Sequence, residues 1–181
     1  MLDQLMDLVR NQAGNAVINN PKIPNEKNDD AVQTGTNSIV ATLQSALAGG
    51  RLNDVLDFFK SRGSNDHSLV NEATSNYSRE LQGKFGMNAN EATDTASKVI
   101  PSAMGQLASR AADPNDNGFN IQDIFNQLSG GKTSGFDIQN LLSRFGAGKL
   151  DRDNDGDVDL KDLAAMFGGG GAGGVIGGLF K

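Results

Sequence analysis

Apolar residues that recur at spacings of three and four, in short segments separated by glycine, constrain the fold of this chain most strongly. Residues at these spacings lie on one face of an α-helix, so each segment predicts an amphipathic helix. The sequence therefore predicts an all-α bundle of short amphipathic helices. In the N-terminal helix, which is expected to end near Gly14, the apolar positions are Leu2, Leu5, Met6, Val9 and Ala13.

The same pattern predicts four more helices before residue 112. The segment NNPKIPNEKNDD, after the first helix, predicts a loop because it contains two prolines and several Asn and Asp residues. Pro101 lies inside the last of these helices and predicts a kink or a break there. The four helices are expected from Ala31 or Ser38 to Ala48, from an N-cap at Asn53 to a stop at Gly63, from Asp66 to Phe85, and from Asn88 or Asn90 through Leu107.

Composition limits the core and the classes of partner. The 181 residues are enough to bury a core, but only 37% are apolar, none is Trp and 23 are Gly. Of the net charge of −6, residues 151–162 contribute six Asp against Arg152 and Lys161, which is −4 and leaves −2 for the rest. Nucleic-acid binding is disfavoured because no basic stripe is present to displace counterions from phosphate.

The sequence also bears on location. With no Cys, the chain has no disulfide framework and no thiolate metal site. Asp3 and Asp7 interrupt the apolar residues of the N-terminus, which therefore does not resemble a secretory signal. No stretch approaches the roughly 20 apolar residues of a membrane-spanning helix. The expectation is a cytoplasmic protein without a membrane span.

Three short units repeat from Gly118 onward: GFNIQDIFNQLSGG from Gly118, GFDIQNLLSRFGAG from Gly135 and GDVDLKDLAAMFGGG from Gly156. Each predicts one short helix between glycine turns. Such a helix cannot bury its own apolar face, so the units are expected to pack on one another or on the N-terminal helices. The predicted organisation is a helical bundle at 1–112, the repeats at 113–167 and a flexible Gly-rich tail at 168–181.

The segment DRDNDGDVDLKD, residues 151–162, predicts a calcium-binding loop. Asp stands at loop positions 1, 3, 5, 9 and 12, and Gly156 at position 6 allows the sharp turn. Calcium binds about six to eight oxygen atoms, and alternate residues of a curled loop direct carboxylates to one centre. Val158 is expected to anchor the loop in the core. The predicted ligands are Asp151, Asp153, Asp155, Asp157 (through its carbonyl oxygen), Asp159 and Asp162.

This spacing resembles the EF-hand family and, within it, the dockerin-type calcium loop, in which Asp commonly closes the loop. Asp162 stands where the usual EF-hand pattern has Glu. Because Asp is one methylene shorter, we expect lower coordination, weaker Ca²⁺ affinity and competition by Mg²⁺. Gly146 and Gly148 interrupt any incoming helix, which favours a dockerin-like loop followed by one helix over a full helix-loop-helix.

A degenerate second loop is suggested by DPNDNGFNIQD, residues 113–123. The residues that should fill positions 8 and 12 fall one residue out of register, and amides carry less charge than carboxylates. We interpret the segment as a turn and helix N-cap, with a decayed metal site as the alternative. The candidate ligands, at positions 1, 3 and 5, are Asp113, Asn115 and Asn117.

No pattern of catalytic residues is present. The sequence contains no GxSxG, Walker-type or Rossmann pattern. GGKTSG, residues 130–135, lacks the first glycine of a phosphate-binding loop and is interpreted as a turn between repeats. His67, the only histidine, has no obvious acid–base partner and is interpreted as an exposed or capping residue near a helix start. A non-catalytic protein is therefore expected.

Outside the calcium loop, the layout resembles the uncharacterised YidB-like family of bacterial helical proteins. The resemblance rests on the order of short helices, the glycine-punctuated C-terminus and scattered residues. It implies an all-α bundle of unknown activity and transfers no catalytic residue. A calcium loop is not characteristic of that family, so the last third of the chain departs from it. The scattered residues are Phe85-Gly86, Ala92, Ala96 and Pro101.

Together these features favour a non-catalytic calcium-binding protein. The ion is expected to order the C-terminal region structurally, for stability or for contact with a protein partner or a second copy. A calcium sensor is the alternative, although only Met166 lies next to the loop and sensors expose a Met-rich groove. An enzyme is a third alternative. Millimolar calcium affinity would favour an extracytoplasmic location.

Overall fold

The periodicity of the sequence appears as helices in the part of the chain that the structure describes. The computed structural model describes residues 2–113, 115–116 and 118–144. No β-strand occurs in these ranges, so the all-α prediction is confirmed for them, and none of their helices is long and apolar enough to cross a membrane. The helices are α1 (Leu2–Ala13), α2 (Asn28–Ala48), α3 (Leu52–Lys60), α4 (Ser68–Phe85), α5 (Ala89–Ala111), α6 (Ile121–Leu128) and α7 (Ile138–Arg144), with a π-helical turn (Gly14–Ile18) and a 3-10 turn (Asn25–Lys27) between α1 and α2.

Helices α1, α2 and α4 meet at Gly35. A Cβ atom at Gly35 would lie 3.2 Å from Val9 Cγ1 of α1 and 3.3 Å from Tyr77 Cζ of α4, so the absence of a side chain permits this approach. Tyr77 is fully buried, and its hydroxyl donates a hydrogen bond to the carbonyl oxygen of Ala31 at 3.1 Å. That bond satisfies the buried hydroxyl, while burial raises the pKa of Tyr77 well above its ordinary value.

Helix α2 buries several hydroxyl groups. Thr34, Ser38 and Thr42 are each at most 5% exposed, and each hydroxyl donates to the backbone carbonyl four residues earlier at 2.7–2.9 Å. These bonds satisfy donors that would otherwise cost free energy in the core. Thr42 also accepts a hydrogen bond from Asn76 Nδ2 of α4 at 3.0 Å. The contact between α2 and α4 is therefore partly polar.

Helix α5 continues through Pro101, so the break predicted there as one of two outcomes is wrong. A proline inside a helix removes a backbone hydrogen bond and costs roughly 3 kcal/mol. Ile100, Ala103 and Met104 beside it are fully buried, because α5 packs along α4 and α1. Burying one large aliphatic side chain contributes about 1.5–3 kcal/mol, so packing offsets the cost at a single residue.

Helix α2 begins at Asn28, earlier than the predicted starts at Ala31 or Ser38, so the predicted loop from residue 19 to 30 is too long. Asp29 lies in the first turn of α2, where a carboxylate interacts favourably with the helix dipole. Arg10 of α1 also donates a hydrogen bond to Asp29 at 2.8 Å. The helix therefore includes residues 28–30, which the composition assigns to a loop, and a tertiary contact lies at its first turn.

Arg51, directly before α3, joins the start of that helix to α4. Its guanidinium donates to both carboxylate oxygens of Glu72 on α4, at 2.6 and 2.8 Å. These hydrogen bonds hold the pKa of Glu72 below its ordinary value. Helix α3 starts at the buried Leu52 directly after this anchor. Asn53, the predicted N-cap, lies inside the helix, so that prediction is wrong.

His67 is the N-cap of α4. Its Nδ1 accepts a hydrogen bond from the backbone N–H of Leu69 at 3.2 Å, and its Nε2 lies 3.4 Å from Oδ2 of Asp57 on α3. The ring also meets the ring of Phe58 edge-on. The side chain is 9% exposed. The capping interpretation is confirmed, the exposed alternative is wrong, and Asp57 is an acidic partner that the linear sequence does not place beside His67.

Helices α6 and α7 pack in the same apolar cluster as the N-terminal helices. The ring of Phe125 in α6 lies 5.7 Å from the ring of Phe59 in α3, and both residues are buried. Ile138 and Leu141 of α7 are buried as well. The first two repeat units therefore pack as the sequence predicts, whereas the division at residues 112 and 167 stays a prediction.

Two glycines with the same backbone conformation follow α3 and α4. Gly63 and Gly86 both have a φ of +66°. A Cβ at Gly63 would lie 2.9 Å from the carbonyl oxygen of Met104 on α5, whereas nothing lies within 4 Å of a Cβ at Gly86. Asn88 then caps α5, as predicted, by accepting a hydrogen bond from the N–H of Glu91 at 3.0 Å.

We expect Gly63→Ala to destabilise the protein more than Gly86→Ala. Both substitutions place an L-residue in the left-handed region, at a cost of about 1–2 kcal/mol. At Gly63 the methyl group also collides with the backbone of α5, which adds roughly 1–3 kcal/mol. Urea denaturation would measure both free energies of unfolding. Equal losses would contradict the close approach of α3 to α5.

Candidate metal-binding loops

The predicted calcium loop lies outside the described residues. Its ligands, Asp151 to Asp162, and the Gly-rich tail at 168–181 therefore stay predictions. Of the three candidate ligands of the second loop, the structure describes Asp113 and Asn115 but not Asn117. The described part of this region is the segment that leads from the end of α5 to the start of α6.

Asp113 forms a turn at the end of α5. Its Oδ1 accepts a hydrogen bond from the backbone N–H of Asn115 at 2.9 Å, and its carbonyl oxygen accepts from the N–H of Asp116 at 3.1 Å. Asn120 then caps α6, because its Oδ1 accepts from the N–H of Gln122 at 2.8 Å. The interpretation as a turn followed by an N-cap is confirmed. Calcium binding at Asp113 and Asn115 stays a prediction.

Asp116 is the most tightly bound carboxylate in this segment, although the sequence pattern gave it no role. Arg110, in the last turn of α5, donates from Nε to Oδ2 of Asp116 at 2.6 Å. The N–H of Gly118 donates to the other oxygen at 2.8 Å. The Arg110 guanidinium and the Gly118 N–H hold the pKa of Asp116 below its ordinary value. Arg110 also lies over the ring of Phe119, 4.5 Å from its centroid.

In this turn, the positive charge that balances Asp116 comes from the side chain of Arg110. Arg110 neutralises Asp116, and one oxygen of Asp113 is occupied by the turn itself. In the ranges that the structure describes, no group of three or more His, Cys, Asp or Glu side chains is placed to hold a metal ion. The one sign of this ion pair in the sequence is that Arg110 stands six residues before Asp116. That spacing alone does not show that the chain turns between the two residues.

Gln122 connects the first two repeat units. Its Oε1 accepts a hydrogen bond from the N–H of Ile138 at 3.0 Å, and its Nε2 donates to the carbonyl oxygen of Thr133 at 3.2 Å. Thr133 is fully buried and donates from its hydroxyl to Oδ1 of Asn126 at 3.0 Å. The GGKTSG segment is therefore a turn between repeats, as predicted, and is bound to α6 by side chains.

An open cleft of about 450 Å³ lies where the end of α3, the segment 113–120 and α7 meet. We call it the α3–α7 cleft. Its floor includes the buried Phe59 and Ile121. The polar and half-buried residues that line it are Lys60, Arg62, Asp113, Asp116, Asn120, Gln139 and Leu142.

Comparison of the chain with protein-family models, with curated proteins and with solved structures finds no match in any of the three. The EF-hand, dockerin-type and YidB-like resemblances therefore rest on the residues that suggested them.

We expect Arg110→Gln to raise the pKa of Asp116 part of the way to its ordinary value, because the hydrogen bond from Gly118 remains. A carboxylate with a lowered pKa stabilises the fold above its unfolded pKa and loses that contribution as the pH falls through the folded pKa. The variant should therefore lose less stability on acidification below about pH 4. An NMR titration of the Asp116 carboxyl carbon measures the pKa directly.

Arg79→Gln is the matched control, because Arg79 is an exposed arginine of α4 that donates hydrogen bonds to the carbonyl oxygen of Ser75 and to Oδ1 of Asn76. It removes the same charge and should leave the pKa of Asp116 unchanged. An unchanged pKa in Arg110→Gln would show that the ion pair is absent in solution.

Proposed function

We propose that this chain is a non-catalytic calcium-binding protein. One Ca²⁺ is held by residues 151–162, and the ion orders the glycine-rich region after α7, for stability or for contact with a partner. The observation on which the proposal rests is the register of the carboxylates: five Asp residues stand at loop positions 1, 3, 5, 9 and 12 around Gly156. An acidic loop that only faces solvent does not require this register, whereas calcium coordination does.

The two described repeat units support the expected course of the chain after the loop. Helix α6 begins directly after its cap Asn120, and α7 begins directly after Asp137, whose Oδ1 accepts a hydrogen bond from the N–H of Asn140 at 2.9 Å. In the third unit, Asp159 precedes Leu160 in the same way, one residue further from its glycine than Asn120 and Asp137 are from theirs. Position 9 of the proposed loop is thus also the position at which a helix is expected to begin, as an EF-hand-type loop requires.

The described units also indicate why an ion is useful. Helices α6 and α7 are 8 and 7 residues long, and each is held by buried apolar residues, with Gln122 joining the two. The third unit has as many large apolar residues as the first, but Ala164 stands where α6 has the buried Phe125, if Leu160 is aligned with Ile121, and four glycines follow Phe167. Metal binding would add free energy of folding to this glycine-flanked segment.

We expect calorimetry to find one Ca²⁺ per chain, with Mg²⁺ as a weaker competitor. At a calcium concentration 100 times the Kd, binding adds about 2.7 kcal/mol to the free energy of unfolding of the coupled segment. The double variant Asp151→Ala, Asp155→Ala should abolish the binding heat and make the melt insensitive to calcium. Thermal melts in calcium and in chelator measure the second effect.

The matched control is Asp3→Ala with Asp7→Ala, which removes the same charge from exposed positions of α1. It should keep the binding heat and the calcium-dependent melt. If the loop variant behaves like this control, the proposed function is wrong. A second bound ion that is lost on Asp113→Ala would assign calcium to the turn after α5. A large calcium-dependent rise in apolar-dye binding would favour the calcium-sensor alternative.

A further inference from the structure

Helix α7 repeats the residues by which α6 holds the next unit, but within the described part of the chain these residues of α7 hold no neighbour in the same way. Gln122 is the second residue of α6 and binds the start of the next unit through both ends of its amide. Gln139 is the second residue of α7, is exposed, and makes no hydrogen bond to the other described residues. The two glutamines occupy the same place in the first and second repeat units.

A second pair of equivalent residues differs in the same way. Phe125 of α6 is fully buried beside Phe59, whereas Leu142, at the corresponding place in α7, is only half-buried. Gln139 and Leu142 lie three residues apart, on one face of α7, and both line the α3–α7 cleft. Among the described residues, α7 therefore has no counterpart of the amide contacts that Gln122 makes with the next unit, and Leu142 is less buried than Phe125.

The charge of the cleft favours an acidic occupant. Lys60 and Arg62 line it, and Arg62 forms no ion pair with the described residues. On the acidic side, Asp116 is neutralised by Arg110, which leaves Asp113. The described charges around the cleft therefore sum to a small positive value. Residues 151–162 begin seven positions after the end of α7 and carry −4, or −4 + 2 = −2 with one Ca²⁺ bound, so they are acidic in either state.

We propose that the third repeat unit, residues 156–167, docks in the α3–α7 cleft. Gln139 then binds the start of that unit as Gln122 binds the start of α7, and Leu142 is covered by its apolar residues. The chain leaves α7 at Arg144, and the residues up to Leu160 can span far more than the cleft at about 3.3 Å each. The inference deepens the proposed function, because it names the surface on which the calcium loop is held.

The test uses the absence of cysteine from the natural chain. Full-length protein carrying Arg62→Cys and Lys161→Cys is treated with a short bis-maleimide cross-linker, and the intramolecular product is followed by mass spectrometry. Lys161 is not one of the predicted calcium ligands. The control pair is Arg79→Cys with Lys161→Cys, which places the first cysteine on α4, outside the α3–α7 cleft.

Docking should make the intramolecular product form at least about tenfold faster for position 62 than for position 79, because a docked segment has a higher effective concentration at the cleft. Equal rates would overturn the proposal. A product that is intermolecular and depends on protein concentration would also overturn it, in favour of a second copy as the occupant.

A measurement on the unmodified chain covers the case in which a variant fails to fold. A zero-length carbodiimide reagent should join Lys60 to aspartates of residues 151–162 in preference to Lys27, an exposed lysine directly before α2 that does not line the α3–α7 cleft. No preference would overturn the proposal. Calorimetry measures calcium binding, whereas cross-linking measures docking. If docking does not occur, calcium binding can still be measured. If calcium does not bind, a docking preference can still be measured.

Discussion

The close approach of α1, α2 and α4 at Gly35 is the constraint on which the rest of the bundle depends. The large buried ring of Tyr77 fits there because Gly35 has no side chain, and its hydroxyl is satisfied by the carbonyl of Ala31. Interiors are close-packed, so a side chain at this position has to displace a neighbour. Close helices favour short side chains between them, such as Thr34 and Ser38. Their hydroxyl groups can be buried because each donates a hydrogen bond to a carbonyl of its own helix.

The second organising feature is the use of charged side chains to hold short segments against the bundle. Arg51 binds Glu72 where α3 begins, and Arg110 binds Asp116 after α5 ends. These pairs are partly exposed, and such pairs contribute little to global stability, roughly 0–1 kcal/mol. Their contacts are local: one lies where α3 begins and the other spans the turn after α5.

The presence of helices and most of their ends can be predicted from the sequence, because apolar spacing and capping residues act over a few neighbouring positions. The cap at Asn88 and the stop at Gly86 are examples. The misassigned positions depend on distant partners: α2 extends to Asn28 with Arg10 bound to its first turn, and α5 passes through Pro101 because its neighbours bury it. The pairing of Asp116 with Arg110, only six residues apart, was missed because the sequence does not show that the chain turns between them. The calcium loop was predicted from spacing alone, since metal ligation imposes a register that local sequence can display.

Tyr77 has a further consequence for how the molecule can be observed. It is the only tyrosine, and the chain contains no tryptophan. Ultraviolet emission excited above the phenylalanine band therefore comes from one fully buried ring at the junction of three helices. Its intensity follows the integrity of the bundle core, without interference from any other fluorophore. A change confined to the glycine-rich end of the chain alters the emission of Tyr77 only if it is coupled to the core. The emission of this one ring therefore measures whether such a change reaches the core.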